Sequence, residues 1–228
     1  MKKYIPNGIT CLNLFSGCLG IVYAFQGELK YASLAILTAA IFDFFDGLSA
    51  RVLQVYSDMG KELDSLADMV SFGLLPSVMV YQLFLLAPQV GCLKISAFII
   101  AIFSALRLAK FNLDVRQTEN FIGLPTPANA LLVASLPMII ADENACLTSW
   151  ILNPFFLLGF SVVMSFLLIA ELPLLSLKFK NLSVSDNLLR YSLILSSLIL
   201  LVIFRFAAVP IIILVYILLS IIQFRLLK

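Results

Sequence analysis

The chain has 228 residues, of which 62% are hydrophobic and 12% are charged, and its formal net charge is +2 at pH 7. A mean hydropathy of +1.07 means that the chain has more apolar surface than the core of a soluble protein can bury. The composition therefore indicates an integral membrane protein. The small net charge and the lack of a basic run argue against nucleic acid as a partner. The absence of histidine excludes a Ser-His-Asp triad and a histidine general base.

Hydrophobic segments recur along the whole chain and predict an all-α transmembrane helix bundle of about eight spans, forming one membrane domain over residues 1–228. The segments lie near 9–26, 31–54, 60–86, 92–112, 126–141, 151–170, 188–204 and 207–225. With the N-terminus inside, most Lys and Arg fall in cytoplasmic connections, and an even number of spans returns the C-terminus to that side. We therefore expect a multi-pass protein of the cytoplasmic membrane, with both termini and the functional loops facing the cytoplasm.

The second and third segments carry four aspartates, Asp43, Asp46, Asp64 and Asp68. An unpaired carboxylate inside a bilayer is expensive, at roughly 2.5 kcal/mol or more at mid-depth. The i,i+3 and i,i+4 spacings place each pair on one face of its helix, and the short connection makes the two helices antiparallel neighbours. The sequence therefore predicts that the four carboxylates converge.

Divalent cations are the natural partners of such a cluster, because Arg51 and Lys61 cannot neutralise four carboxylates. Hard ions with all-oxygen coordination can do so, which points to Mg²⁺ or Mn²⁺. Two ions roughly 4 Å apart would suit the chemistry of a diphosphate, including stabilisation of the leaving phosphate.

Small residues accompany the aspartates. Gly47 and Ala50 share the face of the first pair, and Gly60 lies one turn before Asp64, so a ligand can approach the backbone there. Arg51 adds a positively charged guanidinium group, whose N–H donors suit phosphate oxygens. An alternative interpretation is a cation or proton pathway of a transporter, or paired charges at helix ends without a catalytic task.

The aspartates and small residues together form the string Asp43-x-x-Asp46-Gly47-x-x-Ala50-Arg51, then eight residues, Gly60, three residues, Asp64, three residues and Asp68. This string resembles the signature of the CDP-alcohol phosphotransferases over residues 43–68. Residues 5–14, 63–73 and 107–127 are similar to the bacterial-type phosphatidylserine synthases within that family. The resemblance implies transfer of a phosphatidyl group from CDP-diacylglycerol to L-serine, with membrane lipid as the surrounding medium and a homodimer as the assembly.

The resemblance also implies roles for the aspartates. Asp43 and Asp64 would contact both metal ions, and Asp46 would complete the first site. Asp68 would bind the second ion and act as the general base that deprotonates the incoming hydroxyl. Glycerol 3-phosphate or inositol phosphate is the alternative acceptor within the same family.

Positions around the CDP moiety are implied in the same way. The predicted CDP-diacylglycerol site comprises Asn7, Thr10, Gly47, Ala50, Arg51, Ser57 and Gly60. For Asn7 and Thr10, capping of the first helix after Pro6 is an alternative explanation.

Arg107, Lys110 and Asn112 are the candidates for binding the acceptor, because serine presents a carboxylate and an ammonium group. Their position at a cytoplasmic helix end fits positive-inside anchoring equally well. Contact with a lipid headgroup is a third possibility.

Overall fold

The computed structural model describes residues 4–55, 57–88, 91–113, 121–142, 145–174 and 187–226. Within these ranges the chain is a helical bundle, which confirms the predicted all-α class of membrane protein. One small exception is a two-residue strand, β1 (Phe121–Ile122), that pairs antiparallel with a second strand, β2 (Pro173–Leu174). Residues 114–120 of the synthase-like stretch 107–127, and both chain ends, lie outside the described residues.

Ten α-helices are interrupted by one π-helical turn and two 3₁₀ turns in the described part of the chain. In chain order the elements are α1 Tyr4–Phe25, α2 Leu29–Leu53, α3 Asp58–Asp68, a π-helical turn Met69–Leu74, α4 Leu75–Leu86, a 3₁₀ turn Leu93–Phe98, α5 Ile99–Leu113, β1 Phe121–Ile122, α6 Thr126–Ala141, α7 Ala145–Ile151, α8 Pro154–Ile169, β2 Pro173–Leu174, α9 Leu188–Phe204, a 3₁₀ turn Arg205–Ala207 and α10 Ala208–Leu226.

Four helical runs in the described ranges are long and apolar enough to cross a membrane, or five if the bent pair α7 and α8 counts as one span. The runs are Tyr4–Phe25, Leu29–Leu53, Asp58–Leu86 and Leu188–Gln223. Each of the eight predicted segments contains helix, but several of these helices are too short to pass that test. The number of eight spans and the side of the membrane that the termini occupy therefore stay predictions.

The last run is divided at Arg205, whose φ of 49° and ψ of −125° interrupt the helix. Leu193 and Leu198 of α9 line one apolar cavity together with Ile213 and Tyr216 of α10. A straight 36-residue helix would separate these side chains by tens of ångströms, so α9 and α10 fold back on each other.

Helix α1 turns its small and polar residues inward and its large apolar residues outward. Its buried residues are Pro6, Thr10, Asn13, Ser16, Gly17, Gly20 and Ala24. In contrast, Phe15 and Phe25 are 59% and 65% exposed. Such a surface lets neighbouring backbones approach closely in lipid, where polar contacts and tight packing replace the hydrophobic effect as the source of helix association.

Helix α1 packs tightly against the backbone of the π-helical turn at Gly17. A Cβ atom at Gly17 would lie 2.9 Å from the Cα of Ser71, so only glycine fits without a shift. The Ser71 hydroxyl donates a 3.0 Å hydrogen bond to the carbonyl oxygen of Asn13. These contacts fix α1 against the end of α3, which is where the second pair of aspartates lies.

Candidate active site

Three aspartates from two helices meet between α2 and α3. One carboxylate oxygen each of Asp43, Asp64 and Asp68 lies within 4.8 Å of the others. Asp43 projects from the second half of α2, and the other two project from α3 at i,i+4 spacing. The structure thus brings these three predicted ligands together.

Asp46 lies beside this cluster and faces a different partner. The Thr10 hydroxyl of α1 donates a 2.7 Å hydrogen bond to its Oδ2. Asp46 is only 6% exposed, and it lines the adjoining cavity together with Asp64. The fourth predicted ligand therefore stands at the boundary between the cluster and the cavity, and α1 sets its orientation.

Asp68 is likewise held by α1. The Asn13 side-chain amide donates a 3.2 Å hydrogen bond from Nδ2 to Oδ1 of Asp68. Asn13 is completely buried and Asp68 is 9% exposed, so the bond is shielded from solvent. Two of the four carboxylates thus each receive a hydrogen bond from a polar side chain of the first helix.

The donor set fits hard divalent cations. Among the described residues, no Lys or Arg nitrogen lies within salt-bridge distance of these carboxylates, and the ion pair found there joins Lys110 to Glu171. Oδ1 of Asp64 is buried and accepts no hydrogen bond from the described residues. Oxygen-only ligands without a compensating side-chain cation are the environment that Mg²⁺ and Mn²⁺ prefer.

A polar cavity of about 480 Å³ opens next to the aspartates, between the start of α1, the end of α2 and the start of α3. It is lined by Pro6, Asn7, Thr10, Asp46, Gly47, Ala50, Val55, Ser57, Asp58, Gly60, Lys61 and Asp64. Six of the seven residues predicted to surround the CDP moiety are in this lining. The seventh, Arg51, is exposed on the last turn of α2 and does not line the cavity.

Glycines leave room in this cavity. A Cβ atom at Gly47 would meet no atom within 4 Å, so the lining is open at that point. A Cβ atom at Gly60 would lie 3.0 Å from both Asn7 Oδ1 and Ser57 Oγ, so glycine lets α1 approach α3. The Ser57 hydroxyl accepts a 3.0 Å hydrogen bond from the Gly60 amide and caps α3, which does not prevent it from lining the cavity.

The three candidates for acceptor binding do not form a common pocket in the structure. Arg107 is 4% exposed and donates from Nε to the Leu124 carbonyl at 3.1 Å and from Nη2 to the Gly123 carbonyl at 3.3 Å. Lys110 pairs with Glu171 at 3.1 Å. None of the three lines the polar cavity.

Asn112 connects α5 to the cavity instead. Its side-chain Nδ2 donates to the Ser65 hydroxyl at 2.8 Å, and its backbone carbonyl oxygen accepts from Lys61 Nζ at 3.1 Å. Lys61 lines the cavity, so Asn112 lies one side chain away from it.

Sequence reasoning did not assign Asn13 or Lys61 to the site. A usable signal for Asn13 was its i,i+3 spacing from Thr10, followed by Ser16, Gly17 and Gly20, because small and polar residues at helical spacing mark the inward face of α1. Lys61 follows directly on Gly60, and its contact with the Asn112 backbone depends on tertiary structure that the sequence does not reveal.

Comparison with known proteins shows the family of the chain. The model of the CDP-alcohol phosphatidyltransferase family matches residues 3–171. The chain belongs to this family. The match includes the aspartates, the cavity lining and helices α1 to α8, and it leaves α9 and α10 outside.

Relatives within this family carry one shared name, CDP-diacylglycerol–serine O-phosphatidyltransferase. The protein of that name from Bacillus subtilis is 43% identical over 126 residues, which cover 55% of this chain and 70% of the relative. The Mycobacterium leprae protein is 35% identical over 179 residues, covering 75% and 58%. The Methanocaldococcus jannaschii protein is 40% identical over 136 residues, covering 60% and 61%. The matches thus span about three fifths to 70% of these relatives' lengths.

Proposed function

We propose that this chain transfers the phosphatidyl group of CDP-diacylglycerol to L-serine, giving phosphatidylserine and CMP. The observation that carries the proposal is the convergence of the family's signature aspartates beside a polar cavity, in a chain whose relatives are named for this reaction. In this reaction the serine hydroxyl oxygen forms a bond to the phosphorus of the phosphatidyl group. The bond from that phosphorus to the CMP oxygen breaks, and CMP leaves with the electron pair.

The cavity suits the cytidine diphosphate part of the donor. Its volume of about 480 Å³ and its polar lining fit a nucleotide, while the acyl chains would remain in the surrounding lipid. Asn7, Thr10, Gly47, Ala50, Ser57 and Gly60 would surround the nucleotide. Arg51, exposed at the end of α2, would approach the phosphates only from outside the cavity.

Two divalent cations, Mg²⁺ or Mn²⁺, would supply charge neutralisation on the diphosphate and make CMP a stable leaving group when they are bound. Asp43, Asp64 and Asp68 would hold them, and Asp46 would complete the first site. Thr10 keeps Asp46 in place through its 2.7 Å hydrogen bond. Asp68 would take the proton from the serine hydroxyl as general base.

L-serine is favoured over a phosphorylated acceptor by the name that the relatives share. Asn112 contacts Ser65 of α3 and Lys61, and it is therefore the nearest of the three acceptor candidates to the cavity.

The setting of the reaction is a single membrane domain in the cytoplasmic membrane, with the cavity facing the cytoplasm. In support, the start of α1, the end of α2, the start of α3 and the end of α5 lie at one end of the bundle, as the contacts of Gly60 with Asn7 and of Lys61 with Asn112 require. The family resemblance adds a homodimer, which light scattering of the detergent-solubilised protein would test.

The experiment that tests the proposal measures CMP release from CDP-diacylglycerol by purified protein with Mg²⁺ or Mn²⁺. L-serine, glycerol 3-phosphate and inositol phosphate are compared as acceptors, with a chelator as control. We expect chelator-sensitive release with L-serine and formation of phosphatidylserine. Release only with a phosphorylated alcohol would overturn the acceptor, and no release with any of the three would return the aspartates to the transporter hypothesis.

A further inference from the structure

The Asn13 side chain makes a contact that is separate from those that dock α1 on the π-helical turn. The helix is already fixed to the π-helical turn by the bond from the Ser71 hydroxyl to the Asn13 carbonyl and by the close packing of Gly17 on Ser71. Neither contact uses the side-chain amide of Asn13. The Asn13 side-chain amide is therefore an addition to these two contacts, in a fully buried position from which it reaches Asp68.

The amide is also only half satisfied. Its Nδ2 donates to Asp68 at 3.2 Å, whereas its Oδ1 is buried and accepts no hydrogen bond from the described part of the chain. A buried polar atom without a partner is unfavourable, so the hydrogen bond to Asp68 is the contact that distinguishes this side chain from an apolar residue and from a buried asparagine without a partner. Asp64 Oδ1, in the adjoining carboxylate cluster, is unsatisfied in the same way.

We propose that Asn13 is a positioning residue for Asp68. Its Nδ2 donates to Oδ1 of the carboxylate, which leaves Oδ2 without this hydrogen bond and as the oxygen that would receive the proton of the acceptor hydroxyl. An amide suits this task because it donates a hydrogen bond without carrying a charge and without exchanging a proton itself. Residues that hydrogen-bond a metal-binding carboxylate commonly set its orientation in this way.

The proposal rests on the proposed function in taking Asp68 as ligand and base, so its test includes a measurement that does not depend on turnover. The affinity of the protein for Mn²⁺ alone is measured by electron paramagnetic resonance of the free ion. Steady-state CMP release then gives kcat and the KM values for CDP-diacylglycerol and L-serine. Thermal melting in the same detergent reports whether each variant is folded.

The variant is Asn13→Leu, which keeps the size of the side chain and removes the amide, with Asn13→Ala in its place if Asn13→Leu does not fold. The matched control is Asn129→Leu. Asn129 is equally buried, and neither of its amide atoms has a hydrogen-bond partner among the described residues. It is therefore a buried asparagine without a carboxylate contact.

We expect the Asn13 variant to lose about 10- to 100-fold in Mn²⁺ affinity and in kcat, with the KM for CDP-diacylglycerol changed less than threefold. The control should stay within threefold of the original protein in both quantities. An Asn13 variant that melts normally and matches the control would overturn the proposal. If the original protein released no CMP with L-serine, the proposed function would fail, and the Mn²⁺ affinities would still decide the role of Asn13.

Discussion

The acidic side of the molecule and its basic side differ in how their polar residues are used. On α2 and α3 the carboxylates of Asp43, Asp64 and Asp68 face one another, within 4.8 Å. On α5, Arg107 and Lys110 point to separate partners, the carbonyls before α6 and the carboxylate of Glu171. The negative charge of the aspartates is thus left without a side-chain cation among the described residues. The positive charges of Arg107 and Lys110 have oxygen partners within the protein.

This difference indicates that the acidic side, on α2 and α3, is the one that binds a cation. Carboxylates that converge without a side-chain cation are stable in a membrane only when something else neutralises them. Arg107, in contrast, donates to the backbone carbonyl oxygens of Gly123 and Leu124 and connects α5 to the segment that leads into α6. We infer that the acidic side performs the chemistry, while Arg107 connects α5 to the segment before α6 and Lys110 makes an exposed ion pair with Glu171.

The largest expected effect comes from removing the charge of one aspartate at a time. Asp68→Asn should lower kcat for CMP release by about 10²- to 10⁴-fold, because a general base is lost. Asp43→Asn should in addition weaken binding of CDP-diacylglycerol, since its carboxylate would contact both ions. Binding is measured by titration with CDP-diacylglycerol in detergent micelles.

Glu62→Gln is the control for these variants, because Glu62 lies on α3 as well and is exposed. It should stay within twofold of the original activity. Equal loss of donor binding in Asp68→Asn and Asp43→Asn would count against a separate base role for Asp68.

A smaller loss is expected at Thr10. Thr10→Val removes the hydroxyl that donates to Asp46 while keeping the shape of the side chain, and it should reduce Mn²⁺ affinity about 10-fold. Thr38→Val is the control, because the Thr38 hydroxyl is exposed and bonds only to the Leu34 carbonyl of its own helix. If both variants bind Mn²⁺ as the original protein does, the orientation of Asp46 does not depend on α1.

The contact between α1 and the π-helical turn is tested by stability. Gly17→Ala places a Cβ atom against Ser71 and should destabilise the fold by about 1–3 kcal/mol, read as a lower Tm. Gly8→Ala, in the same helix, meets no atom within 4 Å and should leave Tm unchanged or raise it, because alanine favours the helix. An unchanged Tm in Gly17→Ala would show that α1 can move away from the turn at little cost.

The smallest effect is expected on α5. Lys110→Gln and Glu171→Gln each break the same ion pair, whose side chains are 38% and 70% exposed, and each should cost less than about 1 kcal/mol of stability. Neither should alter the KM for L-serine. A raised KM for L-serine in Lys110→Gln alone would restore Lys110 as an acceptor-binding residue.

Sequence reasoning succeeded where local spacing decides the outcome. The i,i+3 and i,i+4 pairs placed the aspartates on facing sides of two neighbouring helices, and the structure confirms the convergence of Asp43, Asp64 and Asp68. The glycine and alanine positions of the same helices do line the cavity, because helical periodicity fixes the face on which each residue lies.

Tertiary contacts account for most of what the sequence did not reveal. The partners of Arg107 and Lys110 lie 16 or more residues away, so no helical spacing indicates them. The π-helical turn after Asp68 also has no local signal, although it brings Ser71 against α1. The short strands β1 and β2 pair across about 50 residues, which explains why an all-helical prediction missed them.

The most direct test of the account counts the Mn²⁺ ions bound per chain in the purified protein, with and without CDP-diacylglycerol, and repeats the count in Asp43→Asn. We predict two ions per chain with the donor bound, and loss of both in the variant, because Asp43 would contact both. A protein that forms phosphatidylserine while Asp43→Asn binds as many ions as the original would contradict the assignment of the aspartate cluster as the catalytic metal site.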